Sequence, residues 1–286
     1  MSITGSAKLA GVIGWPIAQS LSPALHGFWL NEYSIDGAYV PLAIRPEDFA
    51  RAIDGLLRAG FSGFNVTIPH KEAAFAIAAC HDEAAKQIGA VNLLVARDGL
   101  LEGRNTDAYG LCATLTQELG PEALRGKTAA IWGAGGTTRA AIYALSLLGV
   151  AEIRLFNRTP EKAALLATSF GGKIGPSVTA SGYESWAEAA KDVALIVHTT
   201  SAGMKQTPSL ELSLDLLPPG AAVFDAVYNP LETGLLARAR TRGLKTVDGL
   251  WMLAHQAVPS FEAFYGVTPK VTPALRQTLV EILNHG

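Results

Sequence analysis

The chain has 286 residues, with Lys+Arg 23 against Asp+Glu 25, a formal charge of −2, 49% apolar residues and 17% charged ones. At roughly 150 residues per domain this length suggests about two domains, and the apolar share excludes a disordered or low-complexity chain. Charges so balanced offer no basic face for nucleic acid and no polybasic membrane patch, so positive charge acts at single sites if at all.

Two cysteines, Cys80 and Cys112, are too few for a disulfide framework or a structural zinc site, and no metal is expected. Both lie in apolar runs of helical pattern and read as buried free thiols. The opening MSITGSAKLAG lacks the charged start and apolar core of a signal peptide. No run reaches the ~18 apolar residues of a membrane span. A soluble cytoplasmic protein is the expectation.

In chain order, Leu9–Ile13 reads as a strand, Leu21–Leu30 as a helix, Ala38–Ile44 as a strand and Pro46–Ala59 as a helix. Phe64–Ile68 is a third strand, followed by a helix from Lys71 to Cys80. This alternation predicts a parallel sheet covered by helices. Val91–Ala96 and Leu100–Leu101 then flank Asp98-Gly99, a strong hairpin signal. The helix Tyr109–Leu119 would bridge to a second set of elements. That set comprises strand Thr128–Trp132, helix Thr137–Leu148, strand Ile153–Phe156, helix Ala163–Phe170, and strands Val193–Val197 and Ala222–Ala226. Leu250–Leu283 reads as helical, with breaks at Pro259 and near Pro269 and Pro273. Two α/β domains packed closely across a cleft follow, since no repeat and no Pro/Ser-rich linker separates them.

The run from Ala129 through Trp132-Gly133-Ala134-Gly135-Gly136-Thr137 to Ala140 is strand, glycine turn and helix start. Such a turn lets backbone approach a pyrophosphate, with free N–H groups of the helix facing the anion. A glycine pair alone also makes an ordinary tight turn, and Thr138 stands where a third glycine is usual. The strand before and helix after favour the nucleotide reading. After the next strand comes Asn157-Arg158-Thr159, with no carboxylate for a ribose 2′-OH. Arg158 can fork two hydrogen bonds to a 2′-phosphate, or be a solvated surface side chain; Lys162 adds charge or is merely exposed.

Four polar clusters end strands in the first half. In Ser20-Leu21-Ser22-Pro23 either one serine caps a helix, or both hydroxyls hold a carboxylate at its positive end. In Asn65-Val66-Thr67-Ile68-Pro69-His70-Lys71, polar residues on a buried strand need partners, and Lys71 follows at its carboxyl end. Gly89-Ala90-Val91-Asn92 and Asn105-Thr106-Asp107 complete the set. A lysine and an aspartate converging in a cleft would perturb each other as acid–base work needs.

These clusters resemble those of the NADP-dependent shikimate dehydrogenases over nearly the whole chain: GWPIAQSLSPALH, NVTIPHK, GAVN, NTD, GAGGTTRA, NRT, SAGM and DGLWMLAHQA. The resemblance implies an α/β substrate domain with a mainly parallel sheet over 1–107, completed by C-terminal helices over 249–286. A Rossmann-type NADP domain would cover 108–248. It implies reversible NADPH-dependent reduction of 3-dehydroshikimate to shikimate, with Lys71 and Asp107 catalytic. Ser20 and Ser22 would hold the shikimate carboxylate. Thr67, Asn92 and Gln256, with Asp107 and Tyr228, would contact the substrate. Gly133, Ala134, Gly135, Gly136 and Thr137 would cradle the pyrophosphate. Asn157, Arg158, Thr159 and Lys162 would take the adenosine ribose phosphate, and Ala226, Gly249 and Met252 the nicotinamide. Glu83 is a weaker suggestion. The expected partners are small molecules, with no nucleic acid or membrane, for a monomer or homodimer.

Three places, four residues in all, depart from the family pattern. His198-Thr199-Thr200 replaces the usual Asn-Ala-Thr, Trp251 stands at a usual glycine, and His255 at a small residue. Trp251 fills core or narrows the nicotinamide side; His255 reads as a surface or satisfied histidine. Rival readings are a quinate/shikimate dehydrogenase with relaxed cofactor use, a non-catalytic NADP-binding sensor, and a methyltransferase. The last explains neither Arg158 nor the serine pair.

Overall fold

A computed structural model describes residues 3–97, 100–205 and 207–285. The chain divides into two compact units, one running through Asp107 and taking in Leu253–Ile282, the other built on Ala108–Met252.

The first unit runs β1 (Lys8–Gly14), α1 (Ser22–Glu32), β2 (Gly37–Ala43), α2 (Phe49–Arg58), β3 (Phe61–Val66), α3 (Lys71–Ile77), β4 (Cys80–His81), α4 (Glu83–Ile88), β5 (Leu93–Arg97) and β6 (Leu100–Arg104). Its sheet order is β2-β1-β3-β5-β6-β4. β1 pairs in parallel with β2 and β3, and β4 with β6, whereas β5 runs antiparallel to both β3 and β6. The β5–β6 register sets Arg97 opposite Leu100; the expected turn residues, Asp98 and Gly99, lie outside the described residues. One face buries Ile13, Phe49, Ile53, Phe64, Val66 and Leu94. Each such side chain contributes about 1.5–3 kcal/mol when fully removed from water.

Two expectations are corrected here. The helix from Lys71 stops at Ile77, because Ala78 takes extended backbone (φ −70°, ψ 134°). Cys80 therefore sits on the short strand β4 and is exposed, not buried in a helix. Cys112 is half-buried on a helix, where burial pushes its thiol up to about 12.

The second unit begins in α5 (Asp107–Leu119) and continues β7 (Thr128–Trp132), α6 (Gly136–Leu147), β8 (Glu152–Phe156), α7 (Pro160–Phe170), β9 (Ser177–Ser181), α8 (Trp186–Ala189), β10 (Val193–His198), β11 (Ala222–Asp225), α9 (Gly234–Thr241) and β12 (Lys245–Asp248). All six strands are parallel, in the order β12-β11-β10-β7-β8-β9. That is a doubly wound sheet whose direction of winding reverses between β7 and β10, where ligands of such sheets bind. Ile131, Leu155, Leu195, Ile196 and Phe224 are fully buried, as interior parallel strands require.

The chain ends in α10 (Gly249–Tyr265) and α11 (Pro273–His285). Pro259 lies inside α10 and does not break it. Proline removes one helical hydrogen bond and costs about 3 kcal/mol. Burial of Ala257, Val258, Phe261 and Phe264 on either side outweighs that.

Candidate active site

In the first unit, Lys71 opens α3 and Asp107 opens α5. A carboxylate suits a helix N-terminus; an ammonium there has the wrong sign. Lys71 is offset by Asp107, whose Oδ2 accepts from its Nζ in a direct ion pair. Their side chains are 19% and 11% exposed. Among the described residues no other pair of a lysine or arginine with a carboxylate is so enclosed.

A buried polar network fixes the pair. Asn92 Nδ2 donates to Asp107 Oδ1 at 2.8 Å, leaving Oδ2 for the lysine. Asn92 Oδ1 accepts the Thr106 N–H at 2.8 Å. The Thr106 hydroxyl lies 3.2 Å from Gln256 Oε1, to which Asn92 Nδ2 also points at 3.5 Å. Asn105 accepts the Asp107 N–H at 3.1 Å and donates to the Ala90 carbonyl at 2.9 Å. The Val91 N–H donates to the Lys71 carbonyl at 3.0 Å, tying the two loops.

The serines belong to the same unit. The helix α1 has Leu21 at its N-cap without a side-chain bond; Ser20 Oγ accepts the Ser22 N–H at 3.3 Å. The Tyr39 phenol, beside the Ser22 hydroxyl, donates to Asn65 Oδ1 at 2.8 Å. Asn65 Nδ2 donates to Ser260 Oγ at 2.8 Å and to the Asn92 carbonyl at 3.3 Å. The Thr67 and Ser20 loops pack at Gly14, where an added Cβ would stand 2.6 Å from Thr67 Cγ2. Trp15 N–H reaches the Ile68 carbonyl at 3.1 Å. Glu83 stays apart, exposed and bonded to Gln87 on α4 at 2.8 Å.

Tyr39 and Ser260 thus join the network from outside the four polar clusters, and Asn65 and Thr106 from within them. The signal in Asn65 was visible, a polar residue in an apolar strand. Its partner Ser260 is 195 residues away in sequence and carries no such mark.

In the second unit, a pocket of about 340 Å³ is lined by Gly133, Ala134, Gly135, Asn157, Arg158, Thr159, Lys162, Thr199, Thr200 and Ser201. These residues follow β7, β8 and β10, at the winding reversal. Gly133 has φ +134°, and a side chain there would strike the Thr199 hydroxyl. At Gly135 and Gly136 an added Cβ would meet nothing within 4 Å, so the space before the α6 N-terminus is open. Thr138, at the missing third glycine, is a lock: its hydroxyl accepts the Gly135 N–H at 3.1 Å and bonds Thr199 Oγ1 at 2.8 Å. Thr199 in turn donates to the Trp132 carbonyl at 2.9 Å.

Arg158 and Lys162 are exposed, and no acidic side chain is among the described residues lining the pocket. Asn157 Nδ2 donates to the Thr159 carbonyl at 2.8 Å. Open glycines at a helix N-terminus beside two exposed cations fit a dinucleotide with an extra phosphate. Thr137 lies in the first turn of α6. Ala226 and Gly249 touch: a side chain at Gly249 would collide with the Ala226 carbonyl. Met252 is buried, and Tyr228 and Trp251 are half-buried. Burial holds the Tyr228 phenol above its ordinary value.

A doubly wound nucleotide unit of this kind, in one chain with an α/β unit holding an enclosed amine–carboxylate pair, defines the class of two-domain pyridine-nucleotide dehydrogenases. Family models for the shikimate dehydrogenase substrate binding domain and for shikimate/quinate 5-dehydrogenase match residues 12–94 and 114–207. The chain is 51% identical over 275 residues to "Shikimate dehydrogenase (NADP(+))" of Paramagnetospirillum magneticum, covering 96% of this chain and 98% of that one. It resembles the crystal structure of shikimate 5-dehydrogenase from Thermus thermophilus in complex with NADP(H) and shikimate (TM-score 0.83, 34% identity, 97% and 99% covered). It also resembles quinate dehydrogenase from Corynebacterium glutamicum in complex with NAD (TM-score 0.88, 29% identity, 96% and 99% covered). The chain belongs to the shikimate dehydrogenase family.

Proposed function

We propose that this chain catalyses the reversible NADPH-dependent reduction of 3-dehydroshikimate to shikimate. The observation that carries the reading is the enclosed Lys71–Asp107 pair, fixed by Asn92 beside Thr106 and Gln256. The Lys71 ammonium donates a proton to the oxygen of the carbonyl being reduced. Asp107 keeps that amine charged and aimed, and the Asn92 amide keeps Asp107 aimed. Ser20 and Ser22 hold the substrate carboxylate, and Thr67, Asn92 and Gln256 its ring hydroxyls, with Tyr228 alongside.

Gly133 to Thr137 hold the pyrophosphate by backbone N–H groups. Asn157, Arg158, Thr159 and Lys162 hold the 2′-phosphate, and Ala226, Gly249 and Met252 the nicotinamide side. The dinucleotide, when bound, supplies the hydride. The 1–107 portion with the C-terminal helices is read as the substrate domain and 108–248 as the NADP domain.

No helix among the described residues is long and apolar enough to cross a membrane. A cytoplasmic monomer or homodimer suits an enzyme drawing on NADPH and carrying balanced charge.

The test is nicotinamide reduction by the purified chain with shikimate and with quinate, each against NADP and NAD. The reading expects fastest turnover with shikimate and NADP. NADP binding without turnover of either acid overturns it in favour of a sensor; preference for NAD or quinate overturns the specificity.

A further inference from the structure

His198 ends β10 and Asp225 ends the neighbouring strand β11, and their side chains are 1% and 0% exposed. His198 Nδ1 lies 2.8 Å from Asp225 Oδ1. Its other nitrogen, Nε2, lies 2.5 Å from the hydroxyl of Thr200, which lines the dinucleotide pocket. Asp225 is otherwise saturated: Oδ1 also accepts the Val227 N–H at 3.0 Å, and Oδ2 accepts the Thr233 hydroxyl at 2.7 Å. Thr200 Oγ1 accepts the Ala202 N–H at 3.1 Å.

With its proton on Nδ1 the imidazole donates to Asp225 while Nε2 accepts the Thr200 O–H, an arrangement that satisfies every partner. The relay is directional, and it ends at a pocket wall. Thr199, the adjoining residue, is held to the glycine loop through Thr138 and the Trp132 carbonyl. Two consecutive residues of that wall are therefore pinned from opposite sides, one to the glycine loop and one to the floor of the sheet.

We infer that His198 is a positioning residue for the dinucleotide pocket: held by Asp225, it fixes Thr200 and thereby sets the Thr199–Ser201 wall against which the cofactor binds. The inference rests on reading this pocket as the NADP site. Its effect falls on cofactor affinity, because its hydrogen bonds run to Asp225 and to Thr200 of the pocket wall, all within the nucleotide unit.

The test is a double-mutant cycle in the full-length chain, comparing His198→Ala, Thr200→Val and the double variant. The readouts are direct NADP titration and the KM for NADP and for shikimate. A lost oriented hydrogen bond predicts that each single variant weakens NADP about three- to tenfold, and that the double variant is no weaker than the weaker single one. The shikimate KM stays within about twofold of wild type. Multiplying losses in the double variant, or equal losses in both KM values, overturns the inference. If His198→Ala fails to fold, because it strands a buried carboxylate, Thr200→Val decides: unchanged NADP affinity in it overturns the inference. A wild-type chain that does not bind NADP overturns the reading of the pocket itself, and wild-type binding with unaffected variants overturns only the role of His198.

Discussion

The two polar centres of this chain are built on opposite plans. In the first unit Lys71, Asp107, Asn92, Thr106 and Asn65 are largely enclosed, and each side chain holds another. In the second, Arg158 and Lys162 are exposed and the glycine loop faces open space. Acid–base chemistry needs the geometry set before the substrate arrives, because reorganising charged groups during reaction raises the barrier. A phosphate can be met by backbone N–H groups and long cationic side chains that adjust to it. Substitutions in the two places should therefore fail differently, in rate in one and in cofactor affinity in the other.

The largest effect is expected on the enclosed side. Asp107→Asn keeps the shape and removes the charge that aims Lys71. It should lower kcat by about 10²–10⁴-fold while the NADP KM moves little. A kcat within a few-fold of wild type would erase the distinction between the two centres. On the open side, the proposed role of Arg158 gives it charge-assisted bonds to the 2′-phosphate, worth about 1.5–3 kcal/mol each, which Arg158→Ala would remove. The KM for NADP should rise about 10–100-fold and that for NAD stay constant. Equal responses of both cofactors would mean that Arg158 does not read the 2′-phosphate.

A smaller effect concerns stability within the first unit. His26 is fully buried, stacked 3.8 Å from Tyr39 in a cluster with Trp29, Phe261 and Phe264, and neither ring nitrogen has a hydrogen-bond partner among the described residues. Burial pushes its imidazole from 6.5 down to about 3. The unfolded chain therefore binds a proton that the folded one refuses. Stability from this group is complete above about pH 6.5 and drains as pH falls toward 3, by up to about 1.4 kcal/mol per unit. Urea unfolding near pH 7 and near pH 5 should show a shallower pH slope in His26→Leu than in wild type. Identical slopes would show that the imidazole is not held neutral.

Much of this was legible in the residues, and the failures have physical causes. β7 matches its expected range, because Thr128–Trp132 is a short, mostly apolar run lying between Gly126 and Gly133. The strands β9 and β12 were not expected, since Ser177–Ser181 and Lys245–Asp248 lie toward the sheet edges and lack an apolar run. Ala73 to Cys80 mimics a buried helix in composition, yet hydrogen bonding of Cys80–His81 to β6 ends it early. Lys71, Asp107 and Asn92 were readable as polar residues at strand and helix ends. His198 was visible only as a departure from a family pattern, because its partner Asp225 lies 27 residues on, along a neighbouring strand.

The central claim is that the amine of residue 71 handles the proton while the nucleotide unit only binds and presents the cofactor. Kinetics of Lys71→Ala at saturating shikimate and NADP, paired with direct titration of NADP, test it in one preparation. The account predicts a kcat lowered by about 10²–10⁴-fold with NADP affinity intact. A variant that turns over at the wild-type rate, or that loses the cofactor and the rate in equal measure, would contradict it.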